Sequence, residues 1–348
     1  MEISARKKIA FYMISLLLIV FTVEVGARAV YFVKRKKFSH LLSFDRVRDI
    51  RKRLPYESGI SKDSFVDAEG YLSKNGYYTY DPKVKVLKTT GIRINDLGFR
   101  DLGMPMDDKA ERILCLGGST TFGYYSKHSY PELLGDILNK TGGRFYVING
   151  GVNAANAQHI YNMLRDGEFI RKIKPDILIV NTFWNTTEQY ENNLLVETVD
   201  NRILRSMLSH SVLAFFIYKA ILFVEYGEGI GPFQALCVYI DKICRWASDK
   251  GIKVILVNEP MLLDRNAWRA APEHPKNHAQ ASRIFKRFEE KYKKNVFFTD
   301  IPFFEKMDFN DAKNVKRYFI DKGHLTEEGY AIEASALSGV VQRIQDQK

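Results

Sequence analysis

Apolar residues follow two rhythms along this chain. Unbroken runs at residues 112–117, 145–148, 177–180, 253–257 and 296–299 are too short for helices and lack in–out alternation, as expected of strands buried on both faces. Between them, apolar positions recur three and four residues apart. One set is Tyr130, Leu133, Leu134, Ile137 and Leu138; another is Leu236, Ile240, Ile243 and Ala247. A third is Ala281, Ile284, Phe285, Phe288 and Tyr292, and the last is Tyr330, Leu337, Val340, Val341 and Ile344. That spacing predicts helices with one apolar face. Strands alternating with such helices predict an α/β fold: a three-layer sandwich whose central, mostly parallel five-stranded sheet is built by right-handed crossovers.

Two stretches break these rhythms. Residues 9–23 carry no charge, and the apolar pattern continues to Val33 past Glu24 and Arg28. The whole, about 9–33, is long enough for one transmembrane helix. Arg6, Lys7 and Lys8 ahead of it also fit a secretory leader, but Glu24 stands where a small-residue cleavage site is expected and only Ala27-Arg28-Ala29 follows. An uncleaved anchor is the favoured expectation. The second stretch is an insertion at 203–230, whose core, residues 207–226, is apolar on nearly every side apart from His210, Lys219 and Glu225. It reads either as a packed core or lid helix or as a segment resting on a bilayer surface. Residues 38–100 are Tyr-rich with Pro and Gly punctuation. The expected division is therefore a basic flank and anchor at 1–37, a membrane-proximal stalk or cap at 38–100, and the α/β domain at 101–348.

Charge sharpens that division. The 348 residues carry a formal +11. Residues 1–53 hold thirteen basic and four acidic side chains, or +9, which leaves the folded domain nearly neutral. A nucleic-acid reader carries its basic patch on the folded domain, so nucleic acid is not an expected partner. The basic residues Arg28 and Lys34 to Lys37 after the span would keep its C-terminal side in the cytoplasm. The three cysteines form no disulfide framework: Cys237 and Cys244 are seven apart on an expected helix, and Cys115 lies in a strand run. His274 and His278 are four apart, but Pro272 and Pro275 argue against a continuous metal-binding helix there, and no HExxH or CxxC motif occurs.

Candidate chemistry clusters at strand ends, where open parallel sheets place their sites. The first strand run ends in Leu116-Gly117-Gly118-Ser119-Thr120-Thr121-Phe122-Gly123. Glycines beside a serine at a strand-to-helix turn can present its hydroxyl, or Ser119 can simply cap a helix. Neither GxGxxG nor Gly-Lys-Ser/Thr is present, so a phosphate loop ranks low. Ahead of the last expected helix stands Asp321-Lys322-Gly323-His324-Leu325-Thr326. There a histidine with a carboxylate three residues back suits a general base and its orienting acid. The plainer alternative has Asp321 closing a turn and Thr326 capping the helix.

These two blocks resemble the first and last blocks of the SGNH (GDSL-like) hydrolase family. The second, residues 147–154 (VINGGVNA), and the third, residues 180–186 (VNTFWNT), are similar to its middle blocks and follow in order. Residues 93–100 (RINDLGFR) look like a segment found before the serine block in membrane-anchored members. The resemblance covers about 90–345 and implies an SGNH/flavodoxin-like fold.

It further implies Ser119 as nucleophile, His324 as base and Asp321 as orienting acid. The Ser119 N–H, Ala154 and Asn185 would be the oxyanion donors, with Gly118, Gly151 and Trp184 lining the substrate. Trp268 is a further aromatic of the 258–271 region. Two positions depart from the pattern: Ala154 stands where a glycine is usual, and Thr186 follows Asn185 in place of aspartate. The implied activity is a membrane-anchored serine esterase or O-acyltransferase on carbohydrate or lipid acyl esters, with no cofactor expected. Related anchored proteins hold this domain outside the cytoplasm, against the charge count. The departures motivate the alternative of a catalytically silent domain that binds glycan or protein in a membrane assembly.

Overall fold

The computed structural model describes residues 5–35, 65–66, 71–74, 77–80, 83, 85–87, 90–103, 107, 109–153, 155–166, 168–182, 195–196, 198–227, 233–258, 274–303, 308, 311–321 and 323–348. The chain divides into two units, one of residues 1–58 with 192–234 and one of residues 59–191 with 235–348.

The helical unit contains α1 (Ala5–Arg35), whose apolar window Tyr12–Val30 has the length and composition of both a membrane anchor and a leader. In the sheet unit, β1 (Phe65–Val66), β2 (Tyr71–Lys74) and β3 (Tyr77–Tyr80) form a small antiparallel sheet. The main elements then run β4 (Glu111–Gly117), α2 (Ser119–Phe122), α3 (Tyr130–Lys140), β5 (Phe145–Gly151), α4 (Ala157–Asp166), α5 (Glu168–Ile173) and β6 (Ile177–Asn181). The insertion supplies α6 (Arg202–His210) and α7 (Val212–Tyr226), both in the helical unit. The sheet unit resumes with α8 (Gln234–Ser248), β7 (Lys253–Asn258), α9 (His274–Tyr292), β8 (Val296–Asp300), α10 (Ala312–Tyr318) and α11 (Glu327–Gln345).

The five strands pair in parallel in the order β5-β4-β6-β7-β8, the 2-1-3-4-5 order of a flavodoxin-like sheet. The unbroken apolar runs are explained by burial on both faces: Ile113, Leu114, Cys115 and Leu116 are all wholly buried. Ile113, Cys115, Val147, Ile179 and Val257 share one core cluster with Tyr130 and Leu134 of α3 and Leu337 and Val341 of α11. α9 packs on β7 and β8. All five expected strands and all four expected helices are present, with α9 beginning well before Ala281, the first residue of its expected apolar face.

Two expectations change. α9 starts at His274 and runs through His278, so Pro275 does not prevent one helix from carrying both. Proline is tolerated in a first turn, whose N–H groups lack intrahelical partners. The described residues nevertheless hold no group of His, Cys, Asp and Glu suited to a metal ion. The apolar stretch 207–226 is also not one helix. It breaks at Ser211, whose side chain accepts from the Ala214 N–H and so starts α7 afresh. Cys115, Cys237 and Cys244 are buried free thiols, and burial pushes the Cys115 and Cys244 thiols well above their ordinary range.

Candidate active site

The strand order reverses direction around β4, and the chain leaving β4 there meets the ends of β5 and β6. Gly117 pairs with Gly151 on one side and Asn181 on the other. A Cβ on Gly117 would lie 2.0 Å from Thr121 Oγ1 and 2.5 Å from the Asn181 carbonyl oxygen; one on Gly151 would lie 2.3 Å from the Phe122 nitrogen. Only glycine at both positions lets the single turn α2 seat between the strand ends. Ser119 is the first residue of that turn and Gly118 its N-cap, with no side chain capping it. Ser119 is therefore not spent as a cap, and its hydroxyl stays available.

That hydroxyl lies 2.9 Å from His324 Nε2, and His324 Nδ1 lies 2.7 Å from Asp321 Oδ2. A carboxylate only accepts, so Nδ1 carries a proton, and in the neutral ring Nε2 then accepts from the serine O–H. Asp321 does two jobs. Its other oxygen accepts the N–H groups of Gly323 and His324, closing the turn that sets the imidazole. Burial opposes the charge on Asp321, but bonds from the His324 ring and from those two N–H groups outweigh it and hold the carboxyl at about 2. Thr326 caps α11 by accepting from the Gly329 N–H. The turn-and-cap reading and the relay reading of this block thus hold together. Such a relay can draw a proton from the hydroxyl as its oxygen attacks, with the carboxylate stabilising the resulting imidazolium.

Four contributors had no assigned role in the sequence. Arg100 pairs through its backbone with Asn149, beside the end of β5. Its buried guanidinium donates to the carbonyls of Phe122, Gly123, Ser126 and Lys127, at 2.5–3.3 Å. Burial lowers its pKa, with Glu132 opposing. Asn149, fully buried, donates from its amide to the Phe122 carbonyl and Ser129 Oγ, while its Oδ1 accepts the Gly151 N–H. Together the two side chains hold the segment that follows the serine. Tyr125, largely exposed, lies edge-on to the His324 ring at 5.0 Å, with Tyr124 behind at 6.4 Å. The position of 93–100 before the serine block was the only sequence signal for Arg100.

His159 offers no competing base. It sits in a reciprocal cap, with its N–H donating to Asn156 Oδ1 and its Nδ1 accepting the Asn156 N–H, and burial pushes it down to about 3. Of the other expected site residues, Gly118 and Gly151 are buried beside the serine turn. Ala154, Trp184 and Asn185, like Trp268, lie outside the described residues.

A 2-1-3-4-5 parallel sheet with a hydroxyl–imidazole–carboxylate relay at its carboxyl edge is the architecture of SGNH-type ester hydrolases. The family model described as the GDSL-like Lipase/Acylhydrolase family matches residues 115–332, well over half of the chain, and the protein belongs to that family. It is thereby placed among ester hydrolases.

Solved structures similar to it include a GDSL-like lipase from Bacteroides thetaiotaomicron, at 15% identity over 69% of this chain and 92% of that one, TM-score 0.40. The acetyl xylan esterase AlAXEase matches at 16% identity over 66% and 99%, TM-score 0.44. The esterase EstA from Pseudoalteromonas sp. matches at 10% over 68% and 99%, TM-score 0.42. A comparison with curated proteins finds no match.

Proposed function

We propose that the protein is a membrane-anchored serine esterase that works through an acyl-enzyme. The observation that carries this reading is the continuous hydrogen-bonded chain from Ser119 through His324 to Asp321. Ser119 Oγ adds to the ester carbonyl as its proton passes to His324 Nε2. The bond to the leaving alcohol then breaks, and the imidazolium returns the proton to that alcohol. A water, or a sugar hydroxyl in the transferase variant, repeats the sequence on the acyl-enzyme. The Ser119 N–H, Ala154 and Asn185 are the proposed donors to the oxyanion. Tyr124 and Tyr125 offer flat apolar faces beside the imidazole, suited to the acyl or sugar part of an ester. Carbohydrate O-acyl groups and lipid esters are the proposed substrate classes, and no cofactor is needed.

The anchor is α1, with the sheet unit outside the cytoplasm. Support for a retained helix comes from Glu24, which accepts the hydroxyl of Ser211 and the N–H groups of Val212 and Leu213. A leader destined for removal would leave those donors empty.

The test uses the full-length chain and a fluorophosphonate probe. Labelling that disappears in both Ser119→Ala and His324→Ala is the expected result. A folded protein that does not label, or a His324→Ala variant that labels as fast as the parent, would sink the mechanism and leave the glycan- or protein-binding domain as the reading to pursue.

A further inference from the structure

Residues 202–226 present an outward apolar surface that a water-soluble domain would hide. Ile203 is 75% exposed and Val224 82%, and Met207, Phe216, Ile217 and Ile221 lie close to or beyond half exposed. This surface belongs to the same unit as α1, and α7 packs against α1. On α1 itself Tyr12, Ile14, Leu18 and Phe21 are more than half exposed. The two apolar surfaces therefore adjoin on one body.

The polar groups of this unit lie where its helices meet. α6 and α7 turn through 114° relative to one another at Ser211. A break of that kind leaves carbonyls at one helix end and N–H groups at the next without intrahelical partners. Arg28 donates to the His210 carbonyl at the end of α6 and also to Glu24 Oε1. Glu24 accepts the Val212 and Leu213 N–H groups at the start of α7 and the Ser211 hydroxyl, all within 3.0 Å. The anion thus sits at the positive end of one helix and the cation at the negative end of the other. Hydrocarbon demands this kind of closure, because no water is present to satisfy a broken helix. The same contacts give partners to the two charges that interrupt the apolar window of α1.

We propose that α6 and α7 enter the bilayer beside α1 as a re-entrant wedge, with Glu24 and Arg28 closing its corner. Their occupant is phospholipid acyl chain. With nine and fifteen residues, the helices reach about 14 and 22 Å, short of the roughly 30 Å hydrocarbon core, so the wedge enters without crossing. The inference rests on the reading of α1 as a retained anchor and gives the insertion a place.

The test is depth-dependent quenching in the full-length protein. The three native cysteines are buried, so single cysteines at Phe21, Ile217 and Val224 can carry an environment-sensitive fluorophore. Each variant is reconstituted into phosphatidylcholine–phosphatidylglycerol vesicles with acyl-chain bromines, and hydrolysis of a small soluble ester serves as the check on folding. The expected result is loss of fluorescence at Ile217 and Val224 comparable to that at Phe21. Quenching at Phe21 alone would overturn the wedge and leave the anchor standing. Quenching at none of the three would overturn both. Unquenched α7 probes on a protein that sediments as a dimer would give the surface to a second copy, which also overturns the proposal. Glu24→Ala should weaken quenching on α7 while leaving that at Phe21 unchanged; equal quenching at both would remove the clasp from the argument.

Discussion

Leu114 and Leu116 of β4 have no exposed surface, whereas Ile203 and Val224 of the insertion are three-quarters or more exposed. The polar side chains show the opposite contrast. In the helical unit Glu24 and Arg28 turn inward to meet two helix ends. In the sheet unit the relay opens at the sheet edge, where Tyr125 stands exposed beside His324. One unit hides apolar surface from water, and the other exposes apolar surface while its polar groups close on one another. The same principle, that buried polar atoms need partners, organises both. In the sheet unit Arg100 and Asn149 meet the carbonyls around α2. In the helical unit an ion pair closes a broken helix. On the proposed anchor reading that closure matters, because a charged side chain at a bilayer centre costs about 2.5–3.5 kcal/mol on insertion scales.

This contrast can be tested at graded cost, beginning with the relay. Ser119→Ala or His324→Ala should lower ester turnover on the order of 10⁴-fold or more, and Asp321→Asn about 10³- to 10⁴-fold through the wrong imidazole tautomer. Steady-state hydrolysis of a small ester reads all three, and a loss below tenfold in any of them would break the relay assignment. Arg100→Lys keeps the charge but not the planar fork that reaches four carbonyls. It should cost about 10- to 100-fold in kcat with KM little changed, because the serine turn shifts while the binding surface stays. A variant with kcat intact would reduce Arg100 to a stabilising role.

Gly151→Ala should lose about 1–3 kcal/mol in urea unfolding, since its Cβ would meet backbone rather than a side chain that can swing away. An unchanged midpoint would show that α2 can lift away from β5. Smaller still is the acid limb. Asp321 falls from an ordinary 3.8 to about 2, so its contribution to stability is complete above about pH 4 and fades as the pH drops through 2. Acid titration of the parent against Asp321→Asn should converge at the low end, and parallel curves would refute it. Glu24→Ala should leave soluble-ester turnover unchanged, because the side chain serves the helical unit alone.

The legible parts of the molecule were those with short-range signatures. The β4 and β6 runs announced themselves as unbroken aliphatics, and the α3 and α11 faces by their period. Ser119 and the Asp321–His324 pair stood in compact blocks, and the structure brings these three together. Roles that depend on distant backbone had no such signature. Arg100 acts on the carbonyls of Phe122 to Lys127, and a carbonyl looks alike in every residue. Glu24 was visible only as an obstacle to cleavage, because its acceptor role depends on helix ends formed by residues 211–213. The break at Ser211 had a local sign in the polar step Ser209-His210-Ser211, outweighed by the apolar run around it, and Pro275 misled because its position within the first turn, rather than its presence, decides whether a helix tolerates it.

Ser119 and His324 are separated by 205 residues, and Glu24 is 187 residues from Ser211. Ribosomes add about 5–20 residues per second, so each half of these pairs waits roughly 10–40 seconds for the other to be made. During that interval Ser119 has no imidazole beside it, and Glu24 has Arg28 as a partner but not the helix start at residues 211–213. On the proposed mechanism the Ser119 hydroxyl gains its base only once residues 321–324 have been made, a timer written into the order of the elements.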